Sequence, residues 1–373
     1  MPRIPYGRQH IDDDDVRAVA EALRSDFLTT GPRVGEFERA VADFSDARFG
    51  VAVSNGTAAL HAAMFALNIG PGDEVIVPPM TFAATANCVL YTGGTPVFAD
   101  VDPDTLLIDP ARVEAAITDR TKAVIGVDYT GQPCDWNALN RIADRHGLAT
   151  VADGCHALGA SLDGTKVGTL ADMTVYSFHP VKHVATGEGG MILTDDEALD
   201  ERLRNFRNHG ITTDARTREE SGAWFYEMHD LGYNYRMTDI QAALGSSQMK
   251  KLDGFLKRRR SIAARYDREF AGTNVRPLGI RPDADHAYHL YVVRIPNRDA
   301  AYARLREDGI FAQVHYIPVH FHPYYREHLG TGEGLCPVAE AAYTEILSLP
   351  MYPDLTDDEQ TYVIEKVLEA ACA

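Results

Sequence analysis

The chain has 373 residues, 45% of them apolar, enough for full hydrophobic cores and, by length, for two domains. Its 54 acidic against 36 basic side chains give a formal net charge of −18, which argues against nucleic acid as a partner because phosphate binding needs a basic face. No basic-then-apolar leader and no apolar run of spanning length is present, so the expectation is a cytoplasmic protein without a membrane segment.

Taken in chain order, Asp12-Asp13-Asp14-Asp15 reads as the solvated start of a helix, where carboxylates suit the positive dipole end. Val51-Ala52-Val53 reads as a strand that passes through Ser54-Asn55-Gly56-Thr57 into an alanine-rich helix beginning Ala58-Ala59-Leu60. The first N–H groups of such a helix lack backbone partners, so this turn can anchor a phosphate; plain capping is the alternative for its Ser, Asn and Thr. Further strands are expected at Glu74-Val75-Ile76-Val77-Pro78, Thr95-Pro96-Val97-Phe98-Ala99-Asp100 and Ala123-Val124-Ile125-Gly126-Val127. Alternating with helices, they indicate an α/β fold built on a mostly parallel sheet covered on both faces.

Leu148-Ala149-Thr150-Val151-Ala152 is a further strand, with Asp153 at its carboxyl end. Ligands bind at that end in open α/β sheets, and a carboxylate there can hold a cationic ring nitrogen; a helix cap or a structural ion pair is the commoner fate of an isolated Asp. Met173-Thr174-Val175-Tyr176-Ser177-Phe178 reads as a buried strand stopped by Pro180, and Thr186-Gly187-Glu188-Gly189-Gly190 reverses the chain into a strand ending at Thr194. Lys182 therefore sits in a tight turn at a strand end. An amine partly desolvated there loses some preference for the charged form, and the neutral amine is what attacks an aldehyde. With Asp153 and a phosphate-anchoring turn, to which Ser177 can add a hydroxyl, Lys182 points to pyridoxal 5'-phosphate chemistry.

A long helical stretch from about Thr238 to Phe270 then leaves the sheet, with Lys257-Arg258-Arg259-Arg260 as its polar face. Beyond it, Tyr288 to Ile295 and Phe311 to Tyr316 are expected as strands of a smaller α+β domain. The division is residues 1–250, an amino-terminal arm plus the large cofactor-binding domain, and residues 251–373. His315, His320 and His322 cluster, and His179 and His183 are four apart, but Pro318 and Pro180 interrupt both sets and no zinc-hydrolase Glu accompanies them, so no metal site is expected. Cys88, Cys134, Cys155, Cys336 and Cys372 lack paired spacing and read as reduced thiols. No Gly-x-Ser-x-Gly occurs, and Gly187-Glu188-Gly189-Gly190 precedes a strand instead of opening a helix, against hydrolase and dinucleotide-binding readings.

Tyr6-Gly7-Arg8-Gln9, the Ser-Asn-Gly-Thr turn, Thr81-Phe82, Asp153 to Ala160, Ser177 to Gly190, Gly232-Tyr233-Asn234-Tyr235-Arg236-Met237-Thr238-Asp239 and His315-Tyr316-Ile317-Pro318 together resemble the fold-type I pyridoxal-phosphate aminotransferases that act on nucleotide-linked keto-sugars. The resemblance spans nearly the whole chain. It implies that Lys182 is the Schiff-base lysine and proton shuttle, that Asp153 keeps the pyridine nitrogen protonated, that His156 bonds the ring hydroxyl and that Phe82 stacks on the ring. It also implies that Gly56, Thr57, Ala58 and Ser177 hold the phosphate, with Asn234 reaching over from the second subunit of a homodimer with shared active sites. Tyr6, Arg236, His315 and Tyr316 would border the sugar, Arg236 at its diphosphate.

A closer match, carried by Ile4 to Gln9, Gln248 to Asp253 and Val314 to His320, implies L-glutamate as donor and a UDP-linked 4-keto-6-deoxy-N-acetyl hexose as acceptor. The product would be UDP-4-amino-4,6-dideoxy-N-acetyl-β-L-altrosamine, on the route to pseudaminic acid. Val184-Ala185 and Gly154-Cys155 depart from that branch beside the catalytic residues, which bears on the exact sugar more than on the chemistry. The alternatives are another nucleotide-linked keto-sugar, dTDP or GDP and C3 or C4, a sugar dehydratase, or a non-catalytic sensor. Retention of Lys182 argues against the dehydratase; the intact catalytic set, with no fused DNA-binding module or basic segment, argues against the sensor.

Overall fold

The computed structural model describes residues 3–213, 218, 222 and 224–372. Its centre is a seven-stranded sheet in the spatial order Phe49–Val53, Gly190–Thr194, Met173–Ser177, Ala149–Asp153, Thr121–Val127, Glu74–Val77, Thr95–Phe98. Gly190–Thr194 is antiparallel to both its neighbours, and the other strands pair in parallel. The α/β class and the mostly parallel sheet follow the sequence pattern.

Successive side chains of a strand face opposite ways, and here both faces are covered. Ala52, Ile76, Val124, Ala152 and Tyr176 enter one apolar cluster, while Val51, Val53, Val75, Ile125, Val151 and Val175 enter another. Val151 and Ile125 are fully buried, each worth roughly 1.5–3 kcal/mol of transfer free energy. The alanine-rich Gly56–Ala66 helix is buried on nearly every side, which its small side chains permit.

The carboxyl-terminal third forms its own three-stranded sheet of Arg276–Pro277, Tyr291–Arg294 and Ile346–Leu349. A third apolar cluster, with Tyr266, Phe270, Val293, Leu305, Leu347 and Val367, fills the space beneath the Leu252–Phe270, Arg298–Glu307 and Asp357–Ala371 helices. The amino-terminal arm joins this part of the molecule: Ile4–Pro5 pairs in parallel with Ile310–Phe311.

Four local expectations are revised. The stretch from Thr238 to Phe270 is two helices, Asp239–Met249 and Leu252–Phe270, and the turn between them aims Lys251 Nζ at Asp12 Oδ1 (2.6 Å) and Asp15 Oδ2 (2.7 Å). Asp12 does cap a helix, Asp13–Leu23, but Asp15 is wholly buried, so that acidic run is a docking point and not merely a solvated helix start. Arg259, expected on a polar face, is 1% exposed and donates to the carbonyls of Tyr288, His289 and Met351. The expected strands after residue 288 are shorter than the apolar runs, because Tyr288 adopts φ 52° and only Tyr291–Arg294 and Ile310–Phe311 pair regularly.

Candidate active site

The carboxyl ends of the parallel strands open into a cleft of about 820 Å³. Of the residues singled out in the sequence, Tyr6, Gly56, Thr57, Ala58, Phe82, Asp153, His156, Ser177, Lys182, His315 and Tyr316 line it. Asn234 and Arg236 do not line the cleft of their own chain. Asn234 is exposed and bridges Asn208, and Arg236 Nη1 donates to Asn208 Oδ1 at 2.7 Å.

Asp153 terminates the Ala149–Asp153 strand and is 6% exposed. Its Oδ2 accepts the Thr85 hydroxyl at 2.7 Å, and Thr81 Oγ1 lies 2.7 Å from Thr85 Oγ1 behind it. Its Oδ1 is 3.3 Å from the Cys155 amide. A carboxylate has about four acceptor sites, so capacity remains for a cationic donor from the cleft.

At the start of the Gly56–Ala66 helix, Asn55 Oδ1 takes the Ala58 N–H at 2.8 Å and the Asn55 carbonyl takes that of Ala59. The first N–H groups, of Gly56 and Thr57, are thereby left as donors at the positive end of the helix dipole. Ser177 stands beside them: a Cβ at Gly56 would lie 2.9 Å from Ser177 Cβ and 3.3 Å from its Oγ. Gly190 permits the same close approach from the next strand, since a Cβ there would lie 2.4 Å from the Asn55 carbonyl oxygen.

Lys182 sits in the turn after Met173–Ser177, its N–H on the His179 carbonyl at 2.8 Å, where the Phe178–Gly189 and Thr186–Phe178 backbone bonds close the loop. Burial draws its amine below the usual lysine range, with Cys155 and Asp153 pulling the other way. Its other neighbours include imidazoles, a phenol and a thiol that burial keeps uncharged. Burial and the Lys182 charge hold His156 and His289 well below the usual imidazole range and bring His315 down to about 3. Burial also pushes the Tyr316 phenol and the Cys155 thiol well up. The Thr130 N–H donates to His156 Nδ1 at 3.3 Å, so the neutral ring carries its proton on Nε2, which is 3.1 Å from the Tyr316 hydroxyl.

Phe82 is 63% exposed and its ring lies 6.3 Å from that of Tyr316, so it offers a face to whatever enters. His315 Nδ1 bonds Ser348 Oγ at 2.8 Å, and Tyr6 packs 5.0 Å from the His315 ring. Asn55, Thr85, Tyr235 and His289 line the same cleft without having been singled out as site residues. Thr85 and His289 lie 68 and 107 residues from the groups they touch, Asp153 and Lys182, and tertiary packing brings them there. Among the described residues no group of three or more His, Cys, Asp or Glu could hold a metal ion. His320 Nε2 is 2.9 Å from Glu340, and His183 Nε2 is 2.9 Å from the Ala287 carbonyl.

A buried carboxylate at one end, helix-start N–H groups with a hydroxyl at the other and an amine of lowered basicity between them form a donor and acceptor set that fits pyridoxal 5'-phosphate. A model of the DegT/DnrJ/EryC1/StrS aminotransferase family matches residues 9–368. Over 374 residues the chain is 44% identical to the spore coat polysaccharide biosynthesis protein SpsC of Bacillus subtilis, covering 98% of this chain and 96% of that protein. The pyridoxamine-phosphate form of the putative sugar aminotransferase Spr1654 from Streptococcus pneumoniae is similar at TM-score 0.94 and 32% identity, covering 99% of each chain. PseC of Helicobacter pylori, an aminotransferase in the biosynthesis of pseudaminic acid, is similar at TM-score 0.92 and 32% identity, again over 99% of each chain. The chain belongs to the DegT/DnrJ/EryC1/StrS aminotransferase family, as a sugar aminotransferase dependent on pyridoxal 5'-phosphate.

Proposed function

We propose that this enzyme moves the amino group of L-glutamate to C4 of a UDP-linked 4-keto-6-deoxy-N-acetyl hexose, giving UDP-4-amino-4,6-dideoxy-N-acetyl-β-L-altrosamine. The observation that carries the chemistry is the Lys182 amine, drawn below its ordinary basicity by burial, in one cleft with a buried Asp153 and the free N–H groups of Gly56 and Thr57. The likeness to PseC over 99% of both chains supports the choice of sugar.

Pyridoxal 5'-phosphate, when bound, supplies the aldehyde carbon that carries the amino group and a pyridinium ring that takes up electrons as a proton departs. Asp153 would hold the ring nitrogen, with Thr85 fixing the carboxylate, while Gly56, Thr57, Ala58 and Ser177 hold the phosphate. His156 Nε2–H would donate to the ring hydroxyl, and Phe82 would cover one ring face. Lys182 Nζ takes the α-proton of glutamate, and in the second half delivers a proton at C4 of the sugar. Donor and acceptor therefore use one site in turn, and 2-oxoglutarate leaves before the sugar binds.

The same reading makes the protein a homodimer. Asn234 and Arg236 lie outside their own cleft, and Trp224, Phe225, Met228 and Leu231 are exposed apolar side chains close to them in sequence, as an interface requires. Asn234 then serves the neighbouring phosphate site and Arg236 the substrate diphosphate. The large domain ends near residue 250 in this reading, and the enzyme works in the cytoplasm.

NMR of the product formed from glutamate and the UDP-linked 4-keto sugar tests the assignment. A C4 amine in the β-L-altro configuration with stoichiometric 2-oxoglutarate supports it; the C4 epimer, or an inert UDP sugar alongside a reactive dTDP or GDP keto-sugar, refutes the product or the acceptor.

A further inference from the structure

The geometry points to His289 as a positioning residue for Lys182: its imidazole, fixed from behind by Arg259 and the 129–131 loop, holds the amine at the place where it handles protons. This rests on Lys182 being the lysine that carries the cofactor. His289 Nε2 lies 3.4 Å from Lys182 Nζ, and the ring is 4% exposed. Its other nitrogen, Nδ1, is buried without a partner among the described residues. A buried polar atom left unpaired is unfavourable, so the ring orientation follows the Lys182 contact and not the satisfaction of the imidazole itself.

The backbone that carries the ring is over-determined. Arg259, buried and lacking any carboxylate on its guanidinium among the described residues, donates through Nη1 to the Tyr288, His289 and Met351 carbonyls at 3.1, 3.3 and 2.9 Å. On the other side, the Ala287 and Leu290 N–H groups bond the Gly131 and Thr130 carbonyls at 2.9 and 3.1 Å. Gly131 has φ 112°, and a Cβ there would lie 2.8 Å from the Tyr288 nitrogen and 3.1 Å from that of His289. The same loop gives the Thr130 N–H to His156, so one short segment orients both imidazoles, whose rings are 4.4 Å apart.

The choice of a neutral partner matters for a proton carrier. The charged and titratable groups around the amine are Asp153 and Cys155 from the strand end, His156 after it, His183 from its own turn, His286, His289 and Arg259 from the carboxyl-terminal side, and His315 and Tyr316. Among the described residues Asp153 is the carboxylate whose charge acts on the Lys182 amine, and the cofactor nitrogen would occupy it; Glu188 lines the same cleft. A carboxylate at position 289 would hold the amine in its charged, proton-saturated form.

The test compares H289Q, H289L and H289D. The rate of acetylation of Lys182 by acetic anhydride against pH is read by peptide mass mapping on the cofactor-free chain, and the glutamate half-reaction is read on holoenzyme. H289Q, which can still offer a polar atom to Nζ, is expected to stay within about threefold of the parent. H289L should lose on the order of 100-fold in the half-reaction rate with the glutamate KM little changed, as expected of a displaced group. H289D should raise the acetylation midpoint of Lys182 by about one pH unit or more. A folded H289L with the parental rate, or an H289D with the parental midpoint, overturns the inference; if H289L does not fold, H289D decides it. In the parental holoenzyme the cofactor should shield Lys182 from acetylation. Absence of that shielding overturns the reading of Lys182 and this inference together, whereas shielding with an indifferent H289L overturns only the inference.

Discussion

Thr85 gives its hydroxyl proton to Asp153 Oδ2, which fixes the carboxylate plane and leaves the rest of its acceptor capacity toward the cleft. Asp153→Asn keeps the shape and removes the charge that would hold a protonated ring nitrogen. The glutamate half-reaction is expected to fall by at least about 100-fold, as for loss of a preorganised electrostatic partner. Thr85→Val should cost roughly tenfold through looser orientation; single-turnover absorbance changes would measure both, and equal losses would contradict the division of roles. Asp153 and Lys182 were legible because each follows an apolar strand whose end is marked by a Gly or Pro. Thr85 and His289 were not, since a threonine early in a helix and a histidine in a loop carry no local sign of the distant group they meet.

Among the elements, the Gly56–Ala66 helix depends on two glycines that let it approach the sheet. A Cβ at Gly190 would collide with the Asn55 carbonyl, and the collision is with backbone, which cannot turn aside as a side chain does. Gly190→Ala is therefore expected to displace the helix start and to weaken pyridoxal-phosphate affinity by tenfold or more, about 1.4 kcal/mol, in fluorescence titration. Unchanged affinity in a folded variant would contradict the phosphate assignment. The strands and this helix could be read from apolar runs bounded by turn residues. The break between Met249 and Leu252 could not, because it is set by Lys251 reaching Asp12 and Asp15, more than 230 positions away. Arg259 was misjudged for a related reason: a basic run on a helix indicates a polar face unless a distant set of carbonyls accepts one of its members.

For the whole molecule, the buried imidazoles dictate how stability responds to acid. His286 and His315 are brought down to about 3 by burial, His286 also by Arg260 and His315 by Lys182, and His156, His183 and His289 lie well below their usual range. Between pH 6.5 and 3 the unfolded chain binds protons at these sites and the folded chain does not, so stability is lost as pH falls through that window. From pH 7 to 5 His286 and His315 should each contribute a loss on the order of 2 kcal/mol, read from urea unfolding midpoints. A flat response would contradict their burial as neutral rings. At the same scale, Asn234→Ala mixed with Lys182→Ala should regain activity through hybrid dimers if each site takes Asn234 from its neighbour. The sheet, its strand order and the cleft all converge on one amine, and reduction of holoenzyme with borohydride followed by peptide mass mapping tests that claim most directly. A pyridoxyl group on the peptide containing Lys182, and on no other, is the expected result; the label on a different lysine, or on none, would contradict the account.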